Sequence, residues 1–154
     1  MGRPRLKQLS GQGASDNQVA TYDSVSAQWG AENTQGEETI LSCETVVAVR
    51  EPIYIDISTG EAKQANATSM STAPVFGLVV SKPTTITCKV VQLGLVTGFS
   101  ALTPGNQLYL GTTAGGLVST APTGSGNVFQ KIGKVISATS VLVKIEDAIE
   151  RGVV

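Results

Sequence analysis

Two stretches of this chain echo one another about 55 residues apart, and that echo narrows the folds open to it. Pro52-Ile53-Tyr54-Ile55 matches Asn106-Gln107-Leu108-Tyr109-Leu110 at the tyrosine. Ala73-Pro74-Val75-Phe76-Gly77 is echoed by Ala121-Pro122 and again by Val128-Phe129 through Gly133. Each half closes on an alternating run, Thr85 to Val91 and Ser140 to Ile145. Two copies are too few for a solenoid. The expectation is an all-β fold: a compact β-barrel or sandwich built from two diverged repeats, with halves at about residues 50–92 and 104–146. Closure would also remove the free edges that short antiparallel strands expose.

Local patterning supports strands. Thr39 to Cys43 and Thr45 to Val49 are rich in β-branched residues, and Ile53 to Ile57 alternates as a half-buried strand does. Ser58-Thr59-Gly60-Glu61 supplies a turn leading into Ala62 to Ala65. Pro74 to Val80 reads as a strand whose Gly77 marks a bulge or a close backbone approach. Ser81 to Thr84 is expected to turn the chain, after which Thr85 to Val91 places Ile86, Cys88 and Val90 on one face. Leu93 to Leu102 reads as a bridge between the halves. The folded domain is expected to span residues 38–148, leaving 149–154 as a C-terminal tail with one helical turn around Glu146 to Gly152.

Residues 1–37 differ in kind. They are rich in Gly, Ser, Gln, Asn and Asp, with apolar side chains appearing singly, too few to order the segment alone. An extended N-terminal arm is expected, one that docks on a partner through Leu6, Leu9, Val19, Tyr22 and Trp29, because aromatic side chains bury large areas when they find one. Arg3, Arg5 and Lys7 at its tip read as a solvated basic cluster.

Composition limits the chemistry. The chain of 154 residues has no histidine, the commonest general base and metal ligand, and only two cysteines, Cys43 and Cys88, which read as buried free thiols. No metal site, cofactor or catalytic residue is expected. Glu37-Glu38 and Glu146-Asp147 flank strands and read as solvated turn acids, not as a glycosidase pair. The glycine-rich Gly111 to Gly116 and Gly124 to Gly126 lack a phosphate-loop pattern and read as hairpin turns. A net charge of −1 argues against nucleic acid or an anionic membrane as partner. No apolar run is long enough to cross a bilayer, and Met1 to Arg5 leads into no secretory signal, so a soluble protein made in a cytoplasm is expected.

Pro104 to Leu110, the turn Thr112 to Leu117, Ser119 to Gly126 and the run Val128 to Val135 resemble the β-modules of tailed-phage virion proteins: capsid decoration (cement) proteins and head or tail fibres. Leu6 to Ser10, Gly13 to Val19 and Trp29 are similar to a segment found near such modules. The resemblance implies a non-enzymatic structural protein on the virion surface, assembled as a homotrimer, whose partners are the major capsid protein or other virion subunits. The alternative it carries is a fibre module binding a host receptor or glycan. The short length and the absence of a repetitive shaft favour decoration.

Overall fold

In the computed structural model the described residues are 18–23, 28–33 and 38–152, the first two stretches as backbone only. The chain divides into two units, Met1–Gln35 and Gly36–Val154. In the first, β1 (Gln18–Asp23) and β2 (Gln28–Asn33) form an antiparallel hairpin. The expected extended arm is thus paired along these twelve positions, and its remaining residues lie outside those described.

The second unit is all-β, and no helix occurs among the described residues. Its first sheet comprises β3 (Thr39–Ser42), β4 (Pro52–Ile55), β5 (Ala62–Gln64), β6 (Gly77–Thr84) and β7 (Thr87–Val91), in the order β3-β7-β6-β4-β5. Next in the chain are β8 (Leu93–Thr97), β9 (Gln107–Leu110), β10 (Leu117–Val118), β11 (Val128–Phe129), β12 (Lys131–Ser137), β13 (Ser140–Lys144) and β14 (Ile149–Glu150). The second sheet runs β8-β13-β12-β9-β10, while β11 pairs with β14 alone. Leaving β11 and β14 aside, both five-stranded sheets follow one plan: first strand, fifth, fourth, second, third. Tyr54 and Tyr109 hold the same place in matching strands, Pro-Ile-Tyr-Ile and Gln-Leu-Tyr-Leu.

The closed barrel envisaged from the sequence is not formed. The edges of the first sheet touch at one isolated parallel bridge, Cys43 to Ala62, and no ladder extends it. Strand length explains this: β5 has three residues and β10 two, too short to carry a seam back to β3 or β8.

Burial follows the pleat. Val79 pairs with Val90, and this face of the first sheet buries Ile53, Ala62 and Cys88 together with Cys43 and Val47. The opposite face turns Leu78 and Val91 into a second core. That core holds Leu108, Leu110, Ile132, Val135, Val141 and Val143 from the second sheet, with Ala65, Ala67, Ala73 and Val75 from the segment before β6. Each fully buried Val, Leu or Ile among these contributes on the order of 1.5–3 kcal/mol. Gly77 is a close approach, as expected: a Cβ there would lie 3.1 Å from Val91 O. Gly133 is tighter still, 2.5 Å from Leu142 O.

Several local expectations are corrected. Thr45 to Val49 forms no strand; only Val47 is buried, and the loop's carbonyls are taken by Lys82 Nζ. Ser81 to Thr84 does not turn but continues β6, and the turn falls at Thr85-Ile86, which leaves Ile86 exposed instead of sharing a face with Cys88 and Val90. Pro74 to Phe76 precede the strand, which starts at Gly77. The supposed bridge after Val91 opens with β8. The tail has no helical turn: Ile149 pairs with Phe129, Arg151 N–H donates to Asn127 O at 2.9 Å, and the Arg151 guanidinium sits 5.6 Å from the Phe129 ring centre. Strand pairing takes the place of helical hydrogen bonds along this backbone, and the guanidinium packs on the ring, with its Nε buried and unpartnered among the described residues.

Candidate interaction surfaces

Of the five positions expected to dock on a partner, Leu6 and Leu9 lie outside the described residues. Val19 and Tyr22 fall on β1 and Trp29 on β2. The register sets Tyr22 directly opposite Trp29, whereas Val19 faces Glu32. The hairpin therefore brings the two aromatic residues to one cross-strand pair and leaves Val19 elsewhere along it.

A surface absent from the sequence expectations lies on the outer face of the second sheet. Alternation in β8 turns Val96 inward and Leu93 and Leu95 outward, and these leucines are 63% and 58% exposed. Leu95 pairs with Leu142 on β13, Leu142 pairs with Lys134 on β12, and Leu93 pairs with Lys144. Leu142 and Ile136 are exposed as well. The result is an apolar patch on an edge strand with lysines set behind it. Its signal was present in the alternation Leu-Gly-Leu-Val-Thr, but periodicity does not say which face is covered.

A second candidate is the open cleft beside the β4–β5 turn. It has a volume of about 570 Å³ and is lined by Tyr54, Asp56, Ser58, Met70, Ser71 and Thr72 among others. Asp56 organises the turn: its Oδ1 accepts from Ser58 N at 2.8 Å and from the Ser58 hydroxyl, and its Oδ2 lies 2.9 Å from Lys63 Nζ. The Ser58 hydroxyl first and Lys63 next hold this carboxyl well below the usual carboxylate range, and Asp56 in turn, followed by Glu44, raises Lys63. Both charges are committed to the turn, so the cleft offers a ring, a thioether and hydroxyls.

Elsewhere, two of the acids and one of the glycine-rich turns weighed from sequence have structural partners. Glu38 pairs with Lys89 at 3.2 Å and Glu146 with Lys131 at 3.4 Å, while Glu37 lies outside the described residues. Gly111 N–H donates to Gly116 O at 2.8 Å, closing the turn between β9 and β10. Cys43 and Cys88 are free and buried, as expected. Burial first, and then its contact with Cys43, push the Cys88 thiol up to about 12. Among the described residues no group of three or more His, Cys, Asp or Glu is placed to hold a metal ion, and no helix is long and apolar enough to cross a membrane. No protein-family model matches the chain, and no curated protein matches it either.

Proposed function

We propose that this chain is a non-enzymatic structural protein of a tailed-phage virion that decorates and stabilises the capsid surface as a homo-oligomer, a trimer on the resemblance. The observation that carries the reading is the exposed apolar face around Leu95 and Leu142, set on a scaffold with its own buried apolar cores. A contiguous apolar patch rimmed by lysines marks an assembly surface. The common strand plan of the two sheets supports their descent from two diverged repeats. The N-terminal segment docks on neighbouring subunits, with Leu6, Leu9, Val19, Tyr22 and Trp29 as anchors. Ordering such a segment is entropically costly, so a few large side chains must dominate its binding.

Co-sedimentation with assembled shells of the phage that encodes the chain is the test. The full chain is expected to pellet with shells, and Trp29→Ala to pellet less while its melting temperature is unchanged. Loss of residues 1–35 should abolish attachment and leave the second unit folded. Undiminished attachment without those residues would sink the arm mechanism, and no attachment of the full chain would sink decoration.

The cleft beside Tyr54 favours a second reading, a fibre module that binds a receptor glycan, because an aromatic ring flanked by hydroxyls suits a sugar. Binding on a glycan array that Tyr54→Ala removes would support it; an array without hits would count against it.

A further inference from the structure

Hydrogen bonding around the cleft at Tyr54 leaves its hydroxyl side chains short of protons to give. The Ser58 hydroxyl donates to Asp56 Oδ1, and the Thr72 hydroxyl donates to Asn66 Oδ1 at 3.1 Å, with Ser69 O at 3.3 Å as a further acceptor. The Ser69 and Ser71 hydroxyls lie 2.9 Å apart, so one proton of that pair is spent between them. A hydroxyl whose proton is spent still has a lone pair to offer. The Tyr54 hydroxyl can donate or accept and does not decide the sign of a ligand. Charge decides it. Asp56 is the charged residue of the lining, and none of the described residues that line the cleft is a lysine or arginine. Its counter-ion is shared: Lys63 Nζ lies 2.9 Å from Asp56 Oδ2 and 3.2 Å from Glu44 Oε1, one positive charge against two negative. The Asp56 carboxyl, held well below the usual range, is ionised at neutral and mildly acidic pH. Tyr54, Met70 and Pro74 add an apolar wall on which the C–H face of a ring can lie.

We propose that the cleft binds an amino sugar, a hexose ring whose free ammonium is drawn to the Asp56 side and whose hydroxyls donate to Ser58 and Thr72. The proposal rests on the glycan reading of this cleft and names the class of sugar. An acidic sugar is disfavoured twice, because its carboxylate meets a net negative charge and finds few donors. A neutral hexose keeps the hydroxyl donors but lacks the charge. One unit charge about 4 Å from a carboxylate in water changes affinity roughly five-fold.

The test is an NMR shift titration of the full chain with the methyl glycosides of glucosamine, glucose and glucuronic acid, at low salt and mildly acidic pH, where the amine is protonated. Amide signals of Asp56 to Ser58 and of Ser71 and Thr72 report on the cleft. The glucosaminide is expected to bind roughly five-fold tighter than the glucoside, with the glucuronide weakest and added salt narrowing the spread. Asp56→Asn should erase the preference. Lys63→Met, which leaves Asp56 and Glu44 without their counter-ion, should widen it, so either variant decides the matter should the other fail to fold. Ethanolamine, an ammonium and a hydroxyl without the ring, should move no cleft signal. A glucuronide that binds as tightly as the glucosaminide, or a preference that neither substitution moves, overturns the inference and spares the glycan reading. Ethanolamine binding as tightly as the glucosaminide overturns it too, since the ring would then play no part. Cleft signals unmoved by all three sugars overturn the glycan reading itself.

Discussion

Lys82 Nζ donates to the carbonyl oxygen of Val47 at 2.8 Å, and the same ammonium reaches Thr45 O at 3.0 Å and Glu44 O at 3.4 Å. One charged group on β6 thereby folds the β3–β4 loop over the first core and holds Val47 inside it. Replacing Lys82 with Met keeps the stem and removes the donors. The expected cost is about 1–3 kcal/mol in urea unfolding, with hydrogen-exchange protection lost first at Glu44 to Val49. An unchanged midpoint would show that water replaces the ammonium without loss.

Gln130 is the buried polar side chain of the structure's second core. Its Oε1 accepts from Val75 N–H at 3.1 Å and its Nε2 donates to Glu146 O at 2.9 Å. Gln130→Leu fills the space but leaves both backbone groups without partners, at a cost of about 1–3 kcal/mol. A chemical-denaturation midpoint equal to the parent's would refute the role.

Gly133 and Gly77 occupy matching strands but differ in clearance. An added methyl at Gly133 meets the Leu142 carbonyl on the paired strand at 2.5 Å, whereas at Gly77 the nearest atom, Val91 O, is 3.1 Å away. Gly133→Ala must push β12 off β13 and is expected to cost about 1–3 kcal/mol, as other overpacked sites do. Gly77→Ala should cost less. Equal unfolding midpoints for the two variants would mean that β12 yields as easily as β6.

The Asp56 turn predicts an acid limb. Its carboxyl titrates below the ordinary value of 3.8 because the Ser58 hydroxyl, Lys63 and two backbone N–H groups favour the charged form. The folded state therefore binds this proton less readily than the unfolded chain. Its contribution is whole above 3.8, declines as pH falls below it, and is gone once the folded carboxyl protonates. Asp56→Asn should lower the melting temperature at neutral pH, and the gap to the parent should narrow as pH drops through that window. A gap that stays constant with pH would assign the effect to shape instead of charge.

Half-buried strands were legible in the residues because their alternation has a physical cause: Ile53 to Ile55 and Thr87 to Val91 each put one set of side chains into a core. Errors came where a distant group decided the outcome. Thr45 to Val49 has strand composition, yet a lysine more than thirty positions on claims its carbonyls. Ile86 completes an alternating run but sits in the turn, where no core reaches it. Glu146 to Gly152 reads as a helical turn until β11 offers it a partner strand. The apolar face on β8 was invisible for a similar reason, since Leu93 and Leu95 differ from buried leucines only in what lies opposite them.

The second core draws Leu78 and Val91 from one sheet and Leu108, Ile132 and Val141 from the other, so neither sheet owns it. Cutting the chain at Gln92 would leave each piece with an apolar face in water. The sheets should accordingly melt as one cooperative unit, giving a single calorimetric transition for residues 38–152 with matching calorimetric and van't Hoff enthalpies.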